Sequence, residues 1–206
     1  MLFGMKPIPE DTGSFLVIRT AKPEPMLYVD KTAYLHRLVT SSRKCLFLAC
    51  PRRFGKSLMI TTLKEIFNGR KDLFEGLAIA KTDYDWKKHP VLHFNFGQCA
   101  NATGYEQFES MLNDEIERAL GEVGCEFDPK RAPGSNFARA IDALAAKAMR
   151  GEGELPVILV DEFDDPVAKV LHDVPFAEKV RTLLRGRKAV RVRESAYDAY
   201  LETSPK

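Results

Sequence analysis

The segment CLFLACPRRFGKSLMITTLKEIF, residues 45–67, constrains the fold of this chain more than any other part of it. Cys45, Leu46, Phe47, Leu48 and Ala49 are apolar without alternation, the pattern of a strand buried on both faces. Such a strand needs sheet neighbours and a packed layer on each side. Pro51 ends the run and Gly55 supplies a turn. Leu58, Met59, Leu63, Ile66 and Phe67 then recur at helical spacing, and Gly69 stands just past them, where a helix terminus would place it. The local reading is strand, loop, helix.

The same alternation continues along the chain. VLHFNF, residues 91–96, predicts a strand that starts after Pro90, with Leu92, Phe94 and Phe96 on one face and His93 and Asn95 on the other. LPVILV, residues 155–160, predicts a third, buried strand. Between them, Thr103 and Glu106 form a capping-box pattern ahead of the stripe Phe108, Met111, Leu112, Ile116, Ala119, Leu120 and Val123, closed by Gly124. Ser135 opens a further helix with Phe137, Ile141, Leu144 and Ala148 on one face, ended by Gly151. Strands alternating with helices predict an α/β fold, a mainly parallel sheet flanked by helices, with its ligand at the carboxyl ends of the strands.

At 206 residues and 45% hydrophobic content the chain can bury one sizeable core, so we expect one domain with extensions. Residues 1–40 read as a lead-in segment, in which Pro7, Pro9, Pro23 and Pro25 favour extended or turn structure. Its YVDKT stretch leads into a short helix that Asp30 caps, with Tyr34, Leu35, Leu38 and Val39 as the apolar face. Residues 41–185 form the main domain and 186–206 a basic tail.

The chemistry concentrates in two places. CPRRFGKS, residues 50–57, matches the second half of GxxxxGK[ST], with Cys50 where the first glycine would stand. Gly55 allows close backbone approach, Lys56 reaches the β and γ phosphates, and Ser57 binds magnesium, while the helix N-terminus adds its positive dipole end. Pro51 removes one N–H from the cradle, and Arg52 and Arg53 face phosphate, an acidic neighbour or solvent. In LPVILVDEFDDP, residues 155–166, a strand delivers carboxylates to the sheet edge. Asp161 is placed like a magnesium-organising aspartate and Glu162 like a general base, whereas Asp164 and Asp165 read as a solvated acidic turn.

Other classes find less support. Cys45, Cys50, Cys99 and Cys125 form no CxxC pair, and His36, His89, His93 and His172 are scattered, so no structural metal or disulfide framework is expected. A net charge of +2 gives no global bias toward nucleic acid or membrane. The basic run of Lys179, Arg181, Arg185, Arg187, Lys188, Arg191 and Arg193 is weighed as a nucleic-acid contact and set below a solvated face, because no aromatic residues interleave it. No stretch is apolar enough to span a bilayer and no leader pattern opens the chain, so a soluble, cytoplasmic protein is expected. No NKxD element is present, which favours adenine over guanine.

Taken in order, YVDKT, PRRFGKS and VILVDEFDDP, with GLAI from Gly76, W-KK-PVLHF over 86–94 and the FARAIDALA helix between them, closely resemble the AAA-ATPase-like family of bacterial P-loop proteins, over residues 6–185. The resemblance implies a P-loop NTPase with an extra strand between the two Walker strands, ATP as nucleotide and Mg2+ as its ion. It assigns Pro51, Arg52, Arg53, Phe54, Gly55, Lys56, Ser57 and Leu58 to nucleotide binding, Ser57 and Asp161 to the metal, and Lys56 and Glu162 to catalysis. It also implies a further strand bearing a polar sensor and often a C-terminal nuclease-like domain. After Arg185 the chain departs from that pattern, so we expect a truncated or frameshifted product, incomplete at its C-terminus. The expected function is an ATP-binding domain with Mg-dependent ATPase activity of impaired turnover; the alternative is a non-hydrolysing nucleotide-binding or interaction module. A homo-oligomer or a protein partner is compatible with either.

Overall fold

A computed structural model of the chain describes residues 6–9, 12–42, 46, 54–162 and 175, and these belong to two compact units, Met1–Lys88 and His89–Lys206. The division falls inside the stretch treated above as one domain. The strand expected at 45–49 lies outside the described residues except for Leu46, which is exposed.

In the first unit three helices, α1 (Phe15–Thr20), α2 (Thr32–Val39) and α3 (Lys56–Phe67), are followed by 3-10 turns at Lys71–Phe74 and Ala78–Lys81. Helix α3 ends as its sequence predicts. Gly69 adopts φ +71°, its N–H donates to the Ile66 carbonyl at 3.0 Å, and the Arg70 N–H reaches back to the Glu65 carbonyl at 3.1 Å. These are the two bonds of a Schellman cap. A Cβ on Gly69 would lie 2.7 Å from the Trp86 carbonyl oxygen, so both the turn and the packing require glycine.

The lead-in segment departs from expectation, because α1 forms between its prolines. The Ser14 hydroxyl caps it by accepting from the Val17 N–H, and Phe15 and Ile18, one helical turn apart, are both fully buried. The Phe15 ring stacks on Phe74 at 4.7 Å and meets the edge of Tyr28 at 5.1 Å. Burial of a phenylalanine side chain contributes roughly 1.5–3 kcal/mol, so this segment is part of the core. Leu35, Ile66 and Ile79 complete the fully buried centre.

The N-cap of α2 is Lys31, not Asp30, which stands one residue ahead of it and ties other parts together. One carboxylate oxygen accepts from the Thr32 N–H at 2.8 Å and the Thr32 hydroxyl at 2.6 Å, and the other from the Ala78 N–H at 2.7 Å, which ties α2 to the second 3-10 turn. Partial burial works to raise the Asp30 pKa, but these hydrogen bonds outweigh it and hold the carboxyl below its usual range. Tyr34 is 69% exposed, which corrects its placement on the apolar face of α2; it stands about 100° around the helix from the buried Leu35.

The second unit contains β1 (Val91–Asn95), α4 (Tyr105–Glu122), α5 (Pro133–Met149) and β2 (Val157–Asp161). The strands pair in parallel, with Val91 opposite Val157 and Asn95 opposite Asp161. Leu92, Phe94 and Phe96 face a core built with Phe108, Leu112, Ile116 and Leu120 of α4 and Phe137, Ile141 and Leu144 of α5. Strand β2 begins at Val157, two residues after its predicted start, and Val160 is 37% exposed, so the strand is not buried throughout. Helix α4 begins after the N-cap Gly104, and the Thr103–Glu106 capping box does not form. Instead Gln107 reaches back and accepts from the Thr103 N–H at 2.9 Å and hydroxyl at 2.8 Å. Helix α5 starts two residues before Ser135, at Pro133, whose missing N–H is harmless in a first turn.

The outer edge of β1 is closed by side chains. Glu115 of α4 accepts from the Asn95 N–H at 2.6 Å, and Arg118 donates to the His93 carbonyl at 2.7 Å. Arg118 also donates to both Glu115 oxygens, at 2.9 and 2.8 Å, and to Glu122 at 2.6 Å. The pair occupies the bonding groups another strand would use.

Candidate functional site

In the first unit the motif residues stand at the start of α3. Pro51, Arg52 and Arg53 lie outside the described residues, and Phe54 is exposed. Gly55 is the N-cap, in the left-handed region at φ +81° and ψ 30°, and a Cβ added there would meet nothing within 4 Å. No side chain caps α3. Gly55 brings no side chain to the helix start, and a helix N-terminus with its positive dipole end is of the kind that suits an anion. Lys56, Ser57 and Leu58 are the first three helical residues and are each half-buried. The Leu58 side chain packs against the unit's core, so its contribution to a ligand is its backbone N–H.

Sequence reasoning missed the neighbours of this turn. The Lys31 ammonium donates to the Phe54 carbonyl at 3.4 Å, and a Cβ on Gly13 would lie 3.3 Å from the Ser57 Cβ. The Thr61 hydroxyl, one turn beyond Ser57, donates to the Gly13 carbonyl at 2.7 Å and accepts from the Phe15 N–H at 3.1 Å. YVDKT signalled Lys31 only as part of a pattern, and nothing local signalled Gly13.

In the second unit Asp161 is the last residue of β2 and is 3% exposed. Its carbonyl accepts from the Phe96 N–H at 3.1 Å, and its Oδ1 accepts from the Glu162 N–H at 3.0 Å. Glu162 then takes φ +52°, a left-handed conformation few non-glycine residues adopt. Strain of this kind gathers at functional positions. A Cβ on Gly97 would stand 3.4 Å from Glu162 Cγ and 3.1 Å from the Asn95 side-chain oxygen, which itself accepts from the Gly97 N–H at 3.0 Å. Behind Asn95, the Glu115 hydrogen bond and then its charge lift the Arg118 pKa against the effect of burial. Asp164, Asp165 and the basic run over 179–193 lie outside the described residues.

Each unit's donor by itself suits the implied ion: the Ser57 hydroxyl in the first and the Asp161 carboxylate in the second are both hard oxygen ligands of the kind Mg2+ takes.

The fold and these two motifs define a mixed α/β protein with a small parallel sheet. The model of the AAA-ATPase-like family, described as a predicted AAA-ATPase, matches residues 12–201, and the chain belongs to that family. The matched span opens one residue before Gly13 and runs past Arg185, where the motifs alone place the end of the resemblance. The chain is also similar to an uncharacterized protein in the vnfD 5' region of Azotobacter chroococcum mcd 1, at 35% identity over 183 residues, covering 87% of this chain and 33% of the relative. It thus spans a third of the length of that curated relative. No solved structure matches it.

Proposed function

We propose that this chain is an ATP-binding P-loop domain that hydrolyses ATP with magnesium. The observation that carries the reading is the start of α3, where a left-handed Gly55 with no side chain of its own is the N-cap of the helix that Lys56, Ser57 and Leu58 open. The roles follow from what each group can do. The N–H groups of Lys56, Ser57 and Leu58 donate to phosphate oxygens, and the Lys56 ammonium supplies charge to the β and γ phosphates. Ser57 in the first unit would offer magnesium its hydroxyl, and Asp161 in the second its carboxylate. When bound, the ion neutralises charge on the phosphate oxygens. Glu162 accepts the proton of the attacking water, and its left-handed backbone, fixed at Asp161, sets where that carboxylate emerges.

Lys56→Ala should weaken ATP binding by about 10- to 100-fold in a calorimetric titration, the range expected for a lost charge-assisted bond of roughly 1.5–3 kcal/mol. Far-ultraviolet circular dichroism should stay unchanged. Wild-type affinity in the variant would remove the phosphate role. Glu162→Gln separates hydrolysis from binding alone, because the amide keeps the shape and cannot take a proton.

A further inference from the structure

We propose that Gly13, gripped by Thr61, is a positioning residue for Ser57, so that the segment ahead of α1 sets the magnesium dependence of nucleotide binding. The inference rests on the role given to Ser57 above. Ser57 and Thr61 are four residues apart on α3 and so lie on one face, one above the other. Gly13 runs along that face. Its carbonyl accepts from the Thr61 hydroxyl at 2.7 Å, and the position of its missing Cβ is 3.3 Å from the Ser57 Cβ and 3.9 Å from the Leu58 nitrogen.

Two features make that contact consequential. First, a Cβ on a helix has no torsion by which to swing aside, so a methyl group at residue 13 must displace either the backbone around Ser57 or the segment itself. Second, the segment is anchored. The Phe15 N–H donates to the same Thr61 hydroxyl at 3.1 Å, and the Phe15 ring is fully buried against Phe74 and Tyr28. Lifting residue 13 therefore means disturbing that core, which leaves Ser57 as the softer side. A shift of a few tenths of an ångström is small for a helix but large for magnesium, which demands near-ideal octahedral geometry at about 2.0–2.1 Å.

The test measures ATP affinity by calorimetry in excess magnesium and again with the ion chelated, and titrates the magnesium concentration that gives half of the affinity gain. Groups that orient a metal ligand typically contribute about 10- to 100-fold to metal affinity. Gly13→Ala should thus raise the magnesium midpoint by about 10-fold while leaving the magnesium-free affinity at the wild-type value. Thr61→Val keeps the shape and removes the hydroxyl that holds the Gly13 carbonyl and the Phe15 N–H; it should move the midpoint in the same direction and by less. This second variant answers the question even if Gly13→Ala folds poorly. If Ser57→Ala abolishes the magnesium gain while Gly13→Ala and Thr61→Val keep the wild-type midpoint, Gly13 does not position Ser57. Equal weakening with and without magnesium would likewise overturn the proposal, since it would mark general damage to the phosphate loop. Should Ser57→Ala itself keep the wild-type midpoint, the role of Ser57 fails and this inference falls with it.

Discussion

Glu115→Ala tests the closed edge of β1. The Glu115 side chain is nearly buried and holds the Asn95 N–H at 2.6 Å, opposite the residue pair Asn95–Asp161 that ends the sheet. Removing the carboxylate leaves that N–H without an acceptor, at a cost of about 1–3 kcal/mol. Arg118 loses two bonds as well, but it is 42% exposed and keeps Glu122 and the His93 carbonyl, so solvent limits this part to roughly 0.5–1 kcal/mol. The sum is about 1.5–4 kcal/mol. With a urea slope near 2 kcal/mol per molar, the transition midpoint should fall by about 0.8–2 M. Glu115→Gln retains an acceptor for the Asn95 N–H and should lose about 1 kcal/mol, and Glu117→Ala on the exposed face of α4 should stay within about 0.5 kcal/mol of the parent. Hydrogen exchange at the Asn95 amide should accelerate in the alanine variant alone. A midpoint unchanged in Glu115→Ala, with slow exchange at Asn95, would refute the claim that α4 closes this edge.

Asp30→Asn keeps an acceptor toward Thr32 but turns an amide N–H toward the Ala78 N–H, and should destabilise the first unit by about 1 kcal/mol in thermal melts at neutral pH. Because the folded Asp30 pKa is depressed, its stabilisation is present above the unfolded value near 3.8 and is lost as pH falls through the lower folded value; the gap between parent and variant should close in that acid window, and a gap constant down to the folded value would contradict it. Gly69→Ala should destabilise by about 2 kcal/mol or more, and Gly76→Ala by only about 1 kcal/mol, since both have positive φ but only the first sets a Cβ against backbone, 2.7 Å from the Trp86 oxygen. Equal midpoints in chemical denaturation would show that the Trp86 contact carries no weight.

Elements with a repeating apolar period and a chemical stop were legible in the sequence. Helices α4 and α5 carry their buried residues where the 3.6-residue spacing puts them, whereas of the stripe expected in α3 only Ile66 is buried, beside Ile60, Thr62 and Glu65; Gly69, Gly124 and Gly151 each follow directly after a helix C-cap. Helix α1 was not legible for two reasons. Six residues give too few turns for a period to show, and the prolines that normally argue against a helix here only bracket one. The helix starts shifted by one or two residues because competing caps stand close together, Gly104 beside Thr103 and Pro133 beside Ser135. The Glu115–Arg118 closure of β1 was hidden for a different reason. A glutamate and an arginine at i,i+3 read as a solvated pair, and only the fold brings His93 and Asn95 beneath them.

The candidate site divides along the same line, and glycine shows why. Gly69 does two things at once: it ends a helix, which the apolar stripe before it announces, and it lets the Trp86 backbone pass, which nothing nearby in sequence announces. Gly55 belongs to the announced kind, because a loop before GKS names its own requirement. Gly13 belongs to the other, and Gly97 in part, since its nearest contact is the side-chain oxygen of nearby Asn95, at 3.1 Å. Each matters through a residue distant in the chain, Ser57 for one and Glu162 for the other, and neither has a positive φ that local turn chemistry could have flagged. A motif thus reports the groups that would touch a ligand, whereas the groups that hold those in place are selected by the absence of a side chain at a distance. At Gly13 the nearest atom is the Ser57 Cβ, at 3.3 Å, whereas at Gly97 the Asn95 side-chain oxygen, at 3.1 Å, comes before the Glu162 Cγ, at 3.4 Å. An added methyl group at residue 13 should therefore act on magnesium-dependent nucleotide binding through Ser57, and one at residue 97 on hydrolysis through both Asn95 and Glu162.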